Sequence, residues 1–288
     1  MFHILGLEDK NLFDRYKKFG FIHSQYNFTN LFMWKHVYNA HVAEIDGMLC
    51  IVLNIFGKKS AMFPVGEGDI KKAVSCIIET FGEIEFSALD DDRFNALEKI
   101  FPGRLECVDV RNTYDYVYRS EKLISLSGRK LHSKRNHLKK FFENYNYEFK
   151  IIDKSNLGDC EKIEKEWIDE KDFKEEIKKS EYLSTMNVLD NYDCLECKGG
   201  IIYIDKKPVA FSIGEKMRED MNLIHIEKAV SGYDGLFPAI NKLCAENIFF
   251  DAEFINREED MGLESLRKAK LSYYPDMMLE YKKARFVR

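Results

Sequence analysis

His225 and Glu227 alternate along the run MNLIHIEKA. A β-strand sends alternate side chains to the same face, so Leu223, His225, Glu227 and Ala229 are expected to share one. Two residues along a strand is about 7 Å. An imidazole and a carboxylate at that separation can serve one bound amine, taking the proton that an attacking amine must lose. The alternatives are a histidine satisfied in the core and a Glu227 paired with a neighbouring cation. Directly afterwards comes the loop Val230-Ser231-Gly232-Tyr233-Asp234-Gly235, then the helical pattern LFPAINKLCAEN. A helix starting near Leu236 points its free N–H groups back toward this loop, and glycine lets an anion approach closely. Ser231, Gly232 and Gly235 are therefore candidates for holding a donor's phosphate. The charge of Asp234, and the frequency of Asp-Gly in turns, argue instead for a plain turn. Tyr233 and Tyr274 are candidates for protonating a departing thiolate or ribose oxygen.

The segment INREEDMG puts Asn256, Arg257, Glu258, Glu259 and Asp260 at the end of a strand, where ligands gather in open α/β sheets. Arg257 suits a bidentate clamp on carboxylate or phosphate, and Asp260 or Glu259 suits a helix cap. Between Glu121 and Glu143 no acidic residue occurs, while Arg129, Lys130, Lys134, Arg135, Lys139 and Lys140 are all cationic. In helical geometry Lys130, Lys134 and His137 line one side, with Arg135 and Lys139 beside them. This patch is expected to attract an anionic polymer or a polyphosphate; an acidic face of the first half is the alternative partner.

Positioning these groups requires a sheet with helices. The second half reads as the strand YEFKIID, helices at 158–170 and 173–191, the hairpin GGIIYIDKKPVAFSIGEKM, the strand MNLIHIEKA, the helix LFPAINKLCAEN, the strand FFDAEFIN, the helix GLESLRKAKLSYY and a strand around MMLEYKK. The first half gives helices at 9–19 and 27–35, a hairpin turning at Asp46-Gly47, the strand SAMFPV, the helix DIKKAVSCIIETFG, the strand IEFSAL, a helix at 91–100 and the strands LECVDV and TYDYVY. Hairpin, strand, helix, strand, helix, strand is thus repeated. A basic helix at 128–144 reads as the bridge between the halves.

At 288 residues the chain is long enough for one large domain or two of ordinary size. Its net charge of −5 argues against a protein that coats nucleic acid. Seven scattered cysteines, with one C-x-x-C at Cys194 and Cys197 and no second pair, suit reduced thiols rather than a disulfide framework or a closed zinc site. No run of 18 apolar residues and no signal-like N-terminus is present, so a cytoplasmic location is expected, with peripheral membrane contact left open.

The element order, with a glycine loop after the fourth strand, resembles the GNAT acyltransferase fold. More specifically, FTNLFMW (28–34), LSGRKLHSKRNHLKKF (126–141), GGIIYIDKKPVAFSIG (199–214) and INREEDMGLESLRKAKLSYYP (255–275) resemble a bacterial family related to the C-terminal domain of phosphatidylglycerol lysyltransferases, and more distantly to Fem-type aminoacyltransferases. The resemblance implies an α/β (α+β) protein of two tandem GNAT-like domains, each a mixed, mostly antiparallel sheet flanked by helices. The expected division is 1–119, a degenerate copy with PVGEGD in place of a phosphate loop, and 120–288, which carries the site. It implies transfer of an acyl or aminoacyl group to an amine or hydroxyl, with aminoacyl-tRNA or acyl-CoA as co-substrate and no permanently bound cofactor or metal. The acceptor is a small molecule, lipid or peptide. VSGYDG departs from the superfamily loop pattern, and the competing reading is a catalytically inactive module that binds an anionic ligand or a protein.

Overall fold

The structure, a computed structural model, describes residues 1–19 and 23–287. In chain order the first elements are β1 (His3–Ile4), α1 (Lys10–Tyr16), α2 (Phe28–Met33), α3 (Lys35–Tyr38), β2 (His41–Ile45), β3 (Met48–Ile55), β4 (Lys58–Met62), β5 (Val65–Gly66), α4 (Ile70–Phe81), β6 (Glu85–Leu89), α5 (Asp91–Ile100) and β7 (Leu105–Asp109). There follow β8 (Asp115–Arg119), α6 (Ser120–Ser125), α7 (His132–Asn144), β9 (Tyr147–Ile151), α8 (Leu157–Asp169), α9 (Glu175–Leu189), β10 (Lys198–Ile204), β11 (Lys207–Arg218) and β12 (Met221–Ala229). Last come α10 (Leu236–Asn247), β13 (Phe254–Asn256), α11 (Glu264–Leu271), β14 (Met277–Leu279) and β15 (Lys282–Phe286).

These elements make the expected pair of mixed, mostly antiparallel sheets flanked by helices. Among the described residues the first sheet runs β1-β2-β3-β4-β6-β15-β7, with β5 on β3, and the second runs β14-β8-β13-β12-β11-β10-β9. The chain divides into two compact units, residues 1–115 with 279–288, and residues 116–278. Two segments therefore lie elsewhere than the linear reading expected. TYDYVY supplies β8 to the second sheet, because Tyr116, Val117 and Tyr118 are fully buried there and the tyrosine hydroxyls donate to Asp260 (2.6 Å) and to the Lys270 carbonyl (2.7 Å). The strand expected around MMLEYKK splits. Met277–Leu279 stays with the second sheet, and Lys282–Phe286 enters the first sheet between β6 and β7, where Ala284 joins the apolar core of that unit.

Two features of the second unit matter most for the site. On α10, Leu236, Ala239, Ile240, Leu243 and Cys244 recur at helical spacing and are buried against β10, β11 and β12. The charged helices α8 and α9 cover the opposite face: Lys228 pairs with Glu181 at 2.8 Å, while its neighbour Glu227 meets Asn241 of α10.

Since β15 is the only described partner of β7 and one of two for β6, deleting residues 282–288 should leave both with unpaired ladder groups. Amides of 85–89 and 105–109 are then expected to lose hydrogen-exchange protection, with those of β10–β12 unaffected; unchanged protection in β6 and β7 would contradict the pairing.

Candidate active site

The second sheet opens between two parallel strands. β12 and β13 pair only through Met221↔Phe254, Asn222↔Ile255 and Leu223↔Asn256, and then β13 ends while β12 continues for six residues. The cause is local. The buried ammonium of Lys270 donates to the carbonyls of Arg257 (2.5 Å), Glu258 (3.1 Å) and Glu259 (2.5 Å), turning that backbone away from the ladder. Asn256, fully buried, accepts from the Glu258 N–H at 2.8 Å through its side chain, and Glu258 takes φ +56°. Asp260 completes the turn, accepting from Tyr116, from the Gly262 N–H and from Arg267 in bidentate fashion at 2.8 and 2.9 Å. Burial alone would raise its pKa, but these bonds, Arg267 first, hold the carboxyl well below the usual range. Asp260 thus anchors the turn, and α11 is entered through Leu263.

On β12 the expected alternation fails at one place. Ile226 pairs with Ile213 and Ile224 with Gly214, so His225 is an extra residue without an opposite number on β11. This bulge reverses the faces. Glu227 lies with Ser212 and Ile224 toward α10, whereas His225 lies on the other side, its side chain fully buried between Glu258 (2.9 Å) and Glu215 (3.0 Å). His225 and Glu227 therefore do not face one substrate. Burial by itself would lower the histidine pKa, yet the hydrogen bonds to the two carboxylates outweigh it and carry it up to about 9. At neutral pH His225 is an imidazolium that donates from both nitrogens, not a base.

Glu227 and Arg257 do converge. Arg257 Nη2 donates to Glu227 Oε1 at 2.8 Å, and Asn241 Nδ2 donates to Glu227 Oε2 at 3.1 Å. The guanidinium lies 5.1 Å from the ring centroid of Tyr273 and 5.8 Å from that of Tyr118. Burial would lower the Arg257 pKa, but Glu227 reverses the effect and holds the cation. Arg257 Nη1 and Asn241 Oδ1 are buried without a hydrogen-bond partner. A narrow cavity is bounded by Ser212, Glu227, Asn241 and Cys244.

Two residues of the glycine loop have their donors taken by side chains from outside it. The Ser231 N–H bonds both oxygens of Glu170 (3.1 and 3.0 Å), and Ser231 Oγ adds a bond of 2.8 Å. The Asp234 N–H donates to the Tyr145 hydroxyl at 3.0 Å, and Tyr233 packs edge-on against that ring at 5.4 Å. Gly235, at φ +81°, is fixed by α7: a Cβ there would lie 2.3 Å from the His137 carbonyl oxygen. Gly232, at φ +89°, faces open space. Tyr274 is largely exposed, with Lys130 Nζ 5.2 Å from its ring.

The basic helix divides its charges. Arg129, Lys130, Lys139 and Lys140 are exposed. Arg135 donates to the Leu126 and Gly128 carbonyls at 2.5 and 2.7 Å, fixing the turn before α7. Lys134 turns inward and lies 4.2 Å from the Tyr273 ring centroid. Sequence reasoning missed Asn241, Tyr118 and Tyr273, and it read Lys270 as an extension of the cationic patch, where the structure buries it on three carbonyls. The alternation of Tyr114, Tyr116 and Tyr118, and an asparagine on the apolar stripe of α10, were the available signals.

The family model for the C-terminal domain of phosphatidylglycerol lysyltransferase matches residues 16–282, and the chain belongs to that family. Over 99% of both chains it is similar, with TM-score 0.91 and 31% identity, to a conserved protein of unknown function from Bacteroides thetaiotaomicron. The L-PGS of Bacillus licheniformis shares the fold at TM-score 0.65 and 14% identity, over 96% of this chain and 92% of that one. So does FemX, at TM-score 0.62 and 9% identity over 100% and 97%. The architecture is the tandem GNAT-like one. At 25% identity over 172 residues, 58% of this chain, the sequence also aligns with the uncharacterized protein MYCGA3080 of Mycoplasmoides gallisepticum, spanning about half (54%) of that protein's length. No described helix is long and apolar enough to cross a membrane.

A testable consequence concerns pH. The folded-state pKa of His225 lies above the ordinary 6.5, so its stabilisation is fully present below pH 6.5 and is lost as pH rises through about 9. Denaturant titrations at pH 6 and pH 10 should show a loss on the order of 3 kcal/mol that is missing in His225→Gln; equal pH dependence in both proteins would contradict a charged His225.

Proposed function

We propose that this chain transfers an aminoacyl group from aminoacyl-tRNA to an amine or hydroxyl of its acceptor, in the opening between β12 and β13. The observation that carries this reading is the half-buried Glu227–Arg257 pair where those strands part, beside the unfilled hydrogen-bonding capacity of Arg257 Nη1 and Asn241 Oδ1. An aminoacyl ester brings matching groups: an α-ammonium for Glu227, and a carbonyl oxygen whose charge grows as the ester is attacked. Backbone released from the ladder at the His225 bulge and along the open edge of β12 supplies donors for that oxyanion. The acceptor nitrogen or oxygen attacks the ester carbon, the bond to the ribose oxygen breaks, and the proton passes from nucleophile to leaving group. Membership in a family named for a lysyltransferase supports the reaction class.

Charge placement favours tRNA over acyl-CoA. A pyrophosphate approaching the 230–235 loop would meet the Glu170 carboxylate, which already holds the Ser231 donors. An RNA strand approaching α7 meets Arg129, Lys130, Lys139 and Lys140 at its surface. The first unit has a structural role in this account. Past its own parallel pair, β4 with β6, the buried Tyr26 hydroxyl bonds the Phe63 carbonyl at 3.0 Å, and the loop amide of Asp69 is taken by Asp46. The acceptor is a small molecule, a lipid or a peptide.

Fluorescence anisotropy with bulk tRNA at roughly 50 mM salt should show binding that weakens at least tenfold when Arg129, Lys130, Lys139 and Lys140 become Ala, with the salt slope reduced by up to about 3. Glu227→Gln should keep the parent's tRNA affinity while losing about 100-fold or more in release of label from aminoacylated tRNA. Acetyl-CoA binding without tRNA binding would overturn the reading.

A further inference from the structure

Of the cations between residues 122 and 140, Lys122, Lys134 and Arg135 are half-buried; Lys122 is paired with Asp276 and Arg135 with backbone carbonyls, whereas Lys134 turns toward the site. It is the third residue of α7, half-buried, with its Nζ 4.2 Å from the ring centroid of Tyr273. The opposing cation of the site, Arg257, packs against the same ring at 5.1 Å. No hydrogen bond or ion pair involving Lys134 is present among the described residues, whereas Arg257 has Glu227, and the exposed Lys139 has Glu143 at 3.7 Å. The charged and titratable groups around it are Arg257 from just past β13, Glu227 from β12 and Tyr273 from just past α11. An ammonium left without an acceptor beside a guanidinium is a poor resting state. It is a good setting for an amine that takes up and releases a proton.

We propose that Lys134 is a catalytic residue of this site, the amine that takes the proton from the attacking nucleophile and delivers it to the departing ribose oxygen. The inference rests on the aminoacyl-transfer reading above. In the forward direction neutral Lys134 accepts a proton as the acceptor's nitrogen or oxygen bonds to the ester carbon. When the carbon–oxygen bond to the ribose breaks, the resulting ammonium returns that proton to the leaving oxygen, so the lysine ends as it began and no other reactant is consumed. Its environment supports the role. Burial first, and the Arg257 guanidinium second, push the Lys134 pKa below its ordinary value, with Glu227 opposing them. A depressed amine is closer to the working pH, where a proton shuttle is most effective. Arginine cannot replace it, since a guanidinium keeps its proton.

Two measurements test this. In competitive labelling of the intact parent protein with acetic anhydride across pH, followed by peptide mass spectrometry, Lys134 should reach half-reactivity at a lower pH than Lys139 and Lys140. An Arg257→Gln variant should move the Lys134 midpoint back up. A midpoint equal to that of Lys139 and Lys140 overturns the proposal, whatever the substrate. In the transfer assay with aminoacylated tRNA, Lys134→Arg and Lys134→Met should both lose 100-fold or more in turnover while binding tRNA within twofold of the parent. Full activity in Lys134→Arg, with activity in the parent, overturns the proposal alone and leaves the transfer reading standing. Absence of transfer in the parent overturns the reading and the proposal with it.

Discussion

Lys270 determines where the second sheet comes apart. A buried ammonium is costly unless its donors are filled, and here three successive carbonyls fill them. Those carbonyls belong to residues that would otherwise continue β13 alongside β12. Their capture ends the strand at Asn256 and frees the edge of β12 from Ile224 onward. It also delivers Arg257 to Glu227. The Tyr118 hydroxyl, bonded to the Lys270 carbonyl, and Asp260, bonded to Tyr116 and Arg267, hold the turn from the β8 side. A site built on rigid strands and braced in this way keeps its geometry without a ligand.

The β12 bulge does the complementary work. One inserted residue sends two ionic clusters to opposite faces: a sealed one of His225 with Glu215 and Glu258, and a reachable one of Glu227 with Arg257 and Asn241. The first leaves the imidazolium fully paired and so serves the fold. The second leaves one guanidinium nitrogen and one amide oxygen unpartnered, which suits groups awaiting a ligand.

Most of the element order was legible because the periodicities are plain. LFPAINKLCAEN carries its apolar stripe in full, and GGIIYIDKKPVAFSIGEKM shows its turn at Asp205-Lys206-Lys207. What escaped were events that a local pattern does not encode. Nothing in MNLIHIEKA marks His225 as a bulge, because the extra residue shows only against the register of β11. KKARF reads like any short strand, and its insertion between β6 and β7 is a choice among partners more than a hundred residues away. Arg257 was recognisable as a clamp by type and position. Lys134 was grouped with a surface patch because helical spacing alone does not say which side of α7 meets Tyr273.

The loop that invites a phosphate by its sequence holds a glutamate instead, so the proposed transfer is assigned to the parted strands. The most direct test is a crystal structure of the protein with an amide-linked aminoacyl-adenosine, which mimics the end of a charged tRNA and cannot be cleaved as an ester. The account predicts the aminoacyl group between the free edge of β12 and Arg257, its ammonium in hydrogen-bond contact with Glu227 and its carbonyl oxygen facing the backbone at the His225 bulge. An analogue seated on the 230–235 loop, with the Glu227–Arg257 pair undisturbed at 2.8 Å, would contradict it.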